Sequence, residues 1–166
     1  VSKYDLMNDL LDGLKNDPFS RRHIINLYQY QDLKDTKGLH PCAYETIWSV
    51  RKVKGVMFLD MTLIQRSSDY IVANQINKTQ YFSLLLMVAG HCDYKVGKFC
   101  HFVQNLHIYD RHYDAANELL EKKPLNDFPK LILKENKNFY NYSIDDFLIM
   151  GTDNITKINS KLELGI

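Results

Sequence analysis

Two strand-forming runs joined by a two-residue turn limit the folds open to this chain more than any other feature of its sequence. The runs cover residues 43–53 and 56–65, and Lys54-Gly55 lies between them. Both runs are rich in β-branched and aromatic residues, and a two-residue connection that contains glycine is typical of a β-hairpin. The sequence therefore predicts a long antiparallel hairpin with Cys42 at its start and Arg66 at its end.

Periodic segments on both sides of this hairpin predict a mixture of helices and strands. Apolar residues at helical spacing predict a helix over 3–15, which a capping box at Ser2 would begin, and further helices over 77–89 and 113–122. Strands are expected over 23–30, 98–109, 130–134 and 157–164, and the polar stretch 31–38 is expected to be a connection. These segments alternate too irregularly for a doubly wound fold. The predicted fold class is α+β, with a mixed β-sheet packed against helices.

The length and charge of the chain limit the number of domains and the kinds of partner to be expected. A chain of 166 residues with 45% hydrophobic content suits one core, so we expect a single domain over residues 1–166. The 21 Lys and Arg residues nearly balance the 20 Asp and Glu residues, so no global field attracts nucleic acid or an anionic membrane. The sequence has no apolar run long enough for a membrane span and no signal-peptide pattern. We therefore expect a cytoplasmic protein with three reduced thiols, Cys42, Cys92 and Cys100.

Cys42 is the first candidate for chemistry, because Pro41 fixes the backbone immediately before it. Most free cysteines are inert core residues, and a nucleophilic thiol also needs nearby positive charge. Only five arginines occur, and three of them are Arg21, Arg22 and Arg66. Guanidinium groups bind phosphate oxygens bidentately, so these arginines predict a local phosphomonoester site, with surface solvation as the alternative.

Four more polar residues are candidates for ligand recognition. His107 and Tyr109 would point to the same face of a strand, where two hydrogen-bonding groups suit a sugar hydroxyl. A buried pair satisfied by its neighbours is the alternative. Asp69 and Asn77 lie on the segment that leads into the helix over 77–89, where a polar side chain is costly without a partner. An amide donates to one carbonyl and accepts from one N–H, which is the pattern on a uracil edge.

A zinc site built from His91-Cys92 and Cys100-His101 is the competing constellation. The spacing of these pairs matches no common zinc finger, and adjacent residues on a strand face opposite ways. The aromatic content of 12% is compatible with base stacking, but no basic stripe interleaves with the aromatic residues. We therefore predict no metal and no nucleic-acid partner.

Taken together, the motifs occur in the order and approximate spacing found in thymidylate synthases, which the chain resembles from its first helix to Gly165-Ile166. The motifs are Ser20-Arg21-Arg22, Leu39-His40-Pro41-Cys42, Gln65-Arg66-Ser67-Ser68-Asp69, Asn77 and His107-Ile108-Tyr109. The resemblance implies a thymidylate synthase-like fold with one sheet face used for homodimerisation. It also implies reductive methylation of dUMP to dTMP, with 5,10-methylenetetrahydrofolate as co-substrate.

The resemblance assigns roles to the site residues. Cys42 would attack C6 of dUMP. The residues that would bind dUMP are Arg21, Arg22, Arg66, Ser67, Ser68, Asp69, Asn77, His107 and Tyr109. Within that set, Arg66 and Ser67 would bind the phosphate, and Arg21 and Arg22 would reach the phosphate of the partner subunit in trans.

The rest of the set would bind the nucleoside and the co-substrate. His107 and Tyr109 would hold the ribose hydroxyl, and Asn77 would read the uracil edge. Asp69 would contact both the nucleotide and the pterin, and Gly165 would lie on the folate side. Covalent addition at C6 makes C5 carbanion-like, and polar groups around O4 would stabilise the developing enolate.

The chain departs from the family pattern in three respects. Residues 70–76 lack the glycine and the proline-phenylalanine pair that many members carry there, and the hairpin is somewhat longer than in the commonest form. The N-terminal region of the family has no counterpart in these residues. That region normally supplies a phosphate-binding arginine, a proton-relaying glutamate and folate-site tryptophans. We therefore expect the chain to be part of a longer enzyme and to be inactive when isolated.

Two alternatives stay open at this point. A pyrimidine nucleotide hydroxymethylase acting on dCMP or dUMP shares the fold and the cysteine chemistry, but it delivers water rather than hydride to the methylene intermediate. Asn77 favours uracil, whereas aspartate there would suit cytosine. The other alternative is a catalytically incomplete interaction module that keeps the fold and the dimer surface.

Overall fold

A computed structural model describes residues 4–34, 37–124, 128–152 and 157–163, and over these it contains helices and two β-sheets. The helices are α1 (Leu6–Asn16), α2 (Tyr30–Lys34), α3 (Ala73–His91) and α4 (Tyr113–Glu121). The strands are β1 (Ile24–Asn26), β2 (Ala43–Val53), β3 (Val56–Asp69), β4 (Lys95–His107), β5 (Lys130–Leu133) and β6 (Phe147–Met150). The predicted α+β class is confirmed.

The larger sheet has the strand order β1-β2-β3-β4 and mixes both strand directions. Strands β1, β2 and β3 pair antiparallel, whereas β3 and β4 pair parallel, with α3 as the connection between them. The predicted hairpin is confirmed, since β2 and β3 meet at a turn in which Lys54 and Gly55 have φ values of 49° and 84°. Two positive φ angles match the turns that favour glycine and fit the twist of hairpin strands.

One face of this sheet carries the hydrophobic core. Inward residues alternate along the strands, as Trp48 on β2 and Leu59 and Met61 on β3 show. Helices α1 and α3 cover this face with apolar side chains that recur at helical spacing. The buried core residues are Leu10, Leu11, Leu14, Ile25, Trp48, Leu59, Met61, Leu85, Val88, Ala89 and Cys92.

No described helix covers the opposite face, which we call the open sheet face. Ile24, Ile47, Thr62 and Cys100 form one row across all four strands, because each is the register partner of the next. A second row on the same face consists of Asn26, Glu45, Ile64 and Phe102. Ile24 and Phe102 are 45% and 55% exposed. This face therefore presents large apolar side chains to its surroundings.

The N-terminal third differs from the sequence prediction in its boundaries. The first helix begins at Leu6, and Asp5 is its N-cap, since the Asp5 carboxylate accepts a hydrogen bond from Asn8 N at 3.1 Å. Ser2 lies outside the described residues. The strand predicted over 23–30 ends at Asn26, because Asn26 Oδ1 accepts from Tyr28 N at 2.8 Å and turns the chain. The first residues of the expected connection 31–38 are helical, because they belong to the short helix α2.

The C-terminal third contains one strand that was not predicted and lacks one that was. Residues 157–163 form no strand, so the prediction for 157–164 is wrong over the described residues. The amides of Asn159 and Ser160 donate instead to the Glu118 carboxylate, at distances of 2.8 to 3.1 Å. These backbone hydrogen bonds lower the pKa of Glu118 to about 2. The strand that pairs with β5 is β6.

Candidate active site

The open end of the hairpin brings Cys42 and Arg66 together. The backbone amide of Arg66 donates to the Cys42 carbonyl at 2.8 Å. The Arg66 guanidinium donates to the carbonyls of Pro41 and His40 at 3.0 and 2.9 Å, and its Nη2 lies 3.7 Å from Cys42 Sγ. Cys42 is exposed. An accessible thiol thus lies beside a guanidinium group that hydrogen bonds hold in place.

Ser67, Ser68 and Asp69 form the carboxyl end of β3 and pair with the end of β4. Ser67 lies opposite Asn105, and Asp69 lies opposite His107. Ser67 is half-buried, and Ser68 Oγ is buried without a hydrogen-bond partner in the described part of the chain. Sheets with parallel strands commonly place ligands beyond the carboxyl ends of those strands. The geometry therefore gathers Ser67, Ser68, Asp69 and His107 at one end of the sheet.

Asp69 lies between the turn into α3 and the buried His112. Its Oδ1 accepts hydrogen bonds from the amides of Ile71 and Val72 at 3.0 and 3.4 Å, which shapes the turn into α3. Its Oδ2 lies 3.5 Å from Nδ1 of His112, a residue with no exposed surface. Because a carbonyl oxygen can only accept, His112 Nε2 must donate to the Glu163 carbonyl, 2.9 Å away. His112 thus lies between the C-terminal segment and Asp69, and its Nδ1 makes no hydrogen bond in the described part of the chain.

Asn77 belongs to a part-buried network of polar side chains rather than standing alone on α3. Gln65 Nε2 donates to Asn77 Oδ1 at 3.0 Å and to the Ser67 carbonyl at 2.9 Å. Gln65 Oε1 lies 2.9 Å from Nε2 of His101. The network connects β3, α3 and β4. Asn77 Nδ2 makes no hydrogen bond within the described residues and can donate to a ligand.

His107 and Tyr109 contact each other, although Tyr109 lies beyond the end of β4. Their rings meet edge to face, with centroids 5.0 Å apart. Asn105 Oδ1 lies 3.0 Å from His107 Nδ1, and Arg111 stacks over the Tyr109 ring at 4.7 Å. The two side chains are neighbours as expected, and their predicted role at a sugar hydroxyl stays a prediction.

Arg21 and Arg22 are exposed between α1 and β1. Neither side chain makes an ion pair or a side-chain hydrogen bond to any residue that the structure describes. His23, which follows them, is buried and lies with Nε2 2.9 Å from the Asp17 carbonyl. Within one chain the two arginines therefore stay apart from the Cys42 and Arg66 pair. Gly165, the predicted folate residue, lies outside the described residues.

The two other thiols occupy different environments. Cys92 is buried in the core, and burial raises its pKa to about 11. Cys100 is exposed on the open sheet face. In the residues described, the His, Cys, Asp and Glu side chains form no group of three or more that could hold a metal ion. His91 Nδ1 accepts from the amide of Phe139, and His101 bonds to Gln65.

Three residues of this site have no predicted role in the sequence analysis. Gln65 is the first residue of the motif Gln65-Arg66-Ser67-Ser68-Asp69, but no function was predicted for it. His101 was considered only as a ligand of the alternative zinc site. His112 follows the His107-Ile108-Tyr109 motif closely but carries no periodic signal. A polar residue within an apolar strand, such as Gln65, is the one sequence signal that points to such a network, because its burial demands partners.

None of the described helices is long and apolar enough to cross a membrane.

The family model of thymidylate synthase matches residues 1–164. Thymidylate synthases from Streptococcus pneumoniae and Lactococcus lactis are each 44% identical to the chain over its whole length. The chain spans about 60% of the length of these curated relatives. A solved structure of thermostable thymidylate synthase A from Bacillus subtilis aligns with a TM-score of 0.78 and 33% identity, covering 99% of this chain and 56% of that one.

Proposed function

The chain belongs to the thymidylate synthase family, and on that basis we propose that it carries the nucleophile and the dUMP site of an enzyme that converts dUMP to dTMP. Members of this family use methylenetetrahydrofolate as a co-substrate and are typically dimeric. The observation that carries the proposal is the pairing of Cys42 with Arg66, whose Nη2 lies 3.7 Å from the thiol sulfur. The sulfur of Cys42 would attack C6 of the uracil ring as the nucleophile.

Arg66 also has hydrogen-bonding capacity left for a phosphate. Its Nε and Nη2 are engaged with the carbonyls of Pro41 and His40, whereas Nη1 makes no hydrogen bond to any described residue. The half-buried Ser67 follows directly on β3 and offers a hydroxyl. A guanidinium edge beside a hydroxyl suits a phosphate oxygen pair. The same arginine would thus serve both the thiol and the phosphate.

The remaining groups fit the nucleoside. Attack at C6 pushes negative charge toward O4, and the free Nδ2 of Asn77 can donate to that oxygen. His107 and Tyr109 would hold the ribose hydroxyl, and Asp69 would contact the base and the pterin. The co-substrate would supply a one-carbon unit to C5, which then loses its proton. It would next supply a hydride to the resulting methylene carbon as the bond between Cys42 and C6 breaks.

We propose that the open sheet face forms the homodimer interface. Ile24, Ile47 and Phe102 present apolar surface there, and no described element covers it. Arg21 and Arg22 lie three and two residues before Ile24 and are exposed, which places them next to the start of β1 at the rim of this face. Exposed arginines at the rim of an isologous interface can reach the site of the partner subunit. This arrangement supports their predicted action in trans.

The test uses the complete gene product with dUMP and methylenetetrahydrofolate. We expect dTMP as the product, and we expect 5-fluoro-dUMP to be trapped covalently on Cys42 in the presence of the co-substrate. A 5-hydroxymethyl product would instead identify a nucleotide hydroxymethylase. Neither product from a folded protein, together with no adduct by intact mass, would identify an interaction module and contradict the proposal.

A further inference from the structure

His101 makes a shielded hydrogen bond that the proposed chemistry does not use. It lies on β4 with Nε2 2.9 Å from Oε1 of Gln65 on the neighbouring strand. Gln65 is 1% exposed. The imidazole stacks on Phe99, with ring centroids 6.2 Å apart and an angle of 23° between the planes. The hydrogen bond is part-buried, and limited access to water strengthens the constraint that it places on its partners.

The surrounding acceptors determine the orientation of every group in this network. The Ser67 carbonyl can only accept, so the Gln65 atom that faces it at 2.9 Å must be the amide nitrogen. That nitrogen also faces Asn77 at 3.0 Å, so the Asn77 atom there must be the oxygen. Gln65 Oε1 is therefore turned toward His101, which must donate. The His101 proton lies on Nε2.

The same environment keeps His101 neutral. Its Nδ1 is buried and has no hydrogen-bond partner in the described part of the chain. A second proton there would create a buried donor without an acceptor, which is costly. Burial and, to a smaller extent, the positive charge of Lys78 lower the pKa of His101. The ring thus acts as a neutral donor with one defined tautomer.

Resting on the dUMP site proposed above, we propose that His101 is a positioning residue for base selection. By holding Oε1 of Gln65, it keeps Nε2 of Gln65 on the Asn77 oxygen, and this leaves Nδ2 of Asn77 for the nucleotide. An outward N–H group matches the O4 acceptor of uracil. It opposes the amino group of cytosine, which is itself a donor. His101 therefore strengthens the preference for uracil without touching the base.

The kinetic test compares two substitutions in the complete gene product. His101→Phe keeps an aromatic ring against Phe99 but donates nothing, whereas His101→Gln keeps an amide donor. We expect His101→Phe to lower the ratio of kcat/KM for dUMP over dCMP by about five- to tenfold, the loss that corresponds to one buried hydrogen bond. His101→Gln should retain most of the ratio. Lys98→Gln, an exposed change on the same strand, is the control.

A second readout does not depend on activity. Nitrogen-15 spectra should show the His101 proton on Nε2, and the side-chain amide protons of Gln65 should exchange slowly with solvent. His101→Phe should accelerate that exchange, and His101→Gln should largely restore it. If His101→Phe does not fold, the tautomer of His101 and the amide exchange in His101→Gln still show whether His101 orients Gln65.

Three results distinguish failure of the positioning role of His101 from failure of the proposed dUMP site. A proton on Nδ1 would overturn the positioning role, and so would an unchanged base preference with unchanged exchange in His101→Phe. If the unaltered protein binds neither dUMP nor dCMP, the proposed function fails. In that case the tautomer and the exchange rates alone decide whether His101 orients Gln65.

Discussion

At the scale of single residues, the three cysteines show how much the surroundings of a thiol determine its chemistry. Cys92 is buried, and its raised pKa of about 11 keeps it a neutral thiol at physiological pH. Cys100 is exposed on a strand whose described neighbours place no guanidinium next to it. Cys42 alone among them lies within reach of a guanidinium, that of Arg66. These differences make the role of Cys42 testable against internal controls.

Cys42→Ser should lower the rate of dTMP formation by several orders of magnitude, because a hydroxyl is a far weaker nucleophile than a thiolate. The measurement is the steady-state turnover of dUMP by the complete gene product. Cys92→Ser and Cys100→Ser should retain catalysis. A Cys42→Ser protein with near-normal turnover would exclude Cys42 as the nucleophile.

Asn77→Asp should move substrate preference from dUMP toward dCMP. The substitution replaces an amide, which can donate through Nδ2, with a carboxylate that only accepts when ionised. It also leaves Gln65 Nε2 with an acceptor, so the network that holds the side chain persists. Competition between dUMP and dCMP in one reaction mixture measures the preference. An unchanged ratio would remove Asn77 from base recognition.

The sequence predicted the contact between Cys42 and Arg66 because it depends on one local element, the hairpin. The surroundings of Asp69 and Asn77 were beyond such reasoning. His112 reaches Asp69 only after the chain has crossed through α3 and β4, and Gln65 meets His101 only through the parallel pairing. Contacts between distant segments leave no periodic signal in a sequence.

At the scale of elements, local turn chemistry separates the correct predictions from the wrong ones. The hairpin was predicted because Lys54 and Gly55 fit the turn and the flanking residues suit strands. Strand β1 stops earlier than predicted because Asn26 forms its own turn. The short strand β6 escaped prediction because its four residues form no clear alternation and its pairing with β5 is tertiary.

The C-terminal segment 157–163 should detach from α4 in acid. The folded state lowers the pKa of Glu118 from 4.5 to about 2, so its hydrogen bonds stabilise the segment fully above pH 4.5. This contribution is lost as the pH falls from 4.5 toward 2. Hydrogen exchange, expressed as protection relative to free peptide, should show weaker protection of Asn159 and Ser160 across that range.

Glu118→Gln should weaken this protection already at pH 6 and abolish its dependence on pH below 4.5. Glu121→Gln on the same helix is the matched control, because Glu121 is exposed and makes no described hydrogen bond to the segment. Equal protection in Glu118→Gln and the unaltered protein would show that other contacts hold the segment.

At the scale of the whole molecule, the proposed dimer across the open sheet face would share each site between two subunits. A Cys42→Ser protein and an Arg21/Arg22 double alanine variant should each be nearly inactive. Mixed under conditions that exchange subunits, they should regain activity, because one site of each heterodimer then carries Cys42 and both arginines. Mass spectrometry of the intact complex checks the exchange. No recovery in a confirmed heterodimer would place the arginines in cis.

The parallel pairing of β3 with β4 also determines the order in which the parts of the site can form. A hairpin closes within microseconds, so β2 and β3 can bring Cys42 next to Arg66 soon after both have left the ribosome. The pairing of Asp69 with His107 must wait until α3 and all of β4 have been synthesised, and it costs more loop-closure entropy. Cys42 is therefore placed beside Arg66 before Asp69 and His107 meet, and a nascent chain that ends within β4 already exposes the Cys42 thiol to oxidants and other electrophiles.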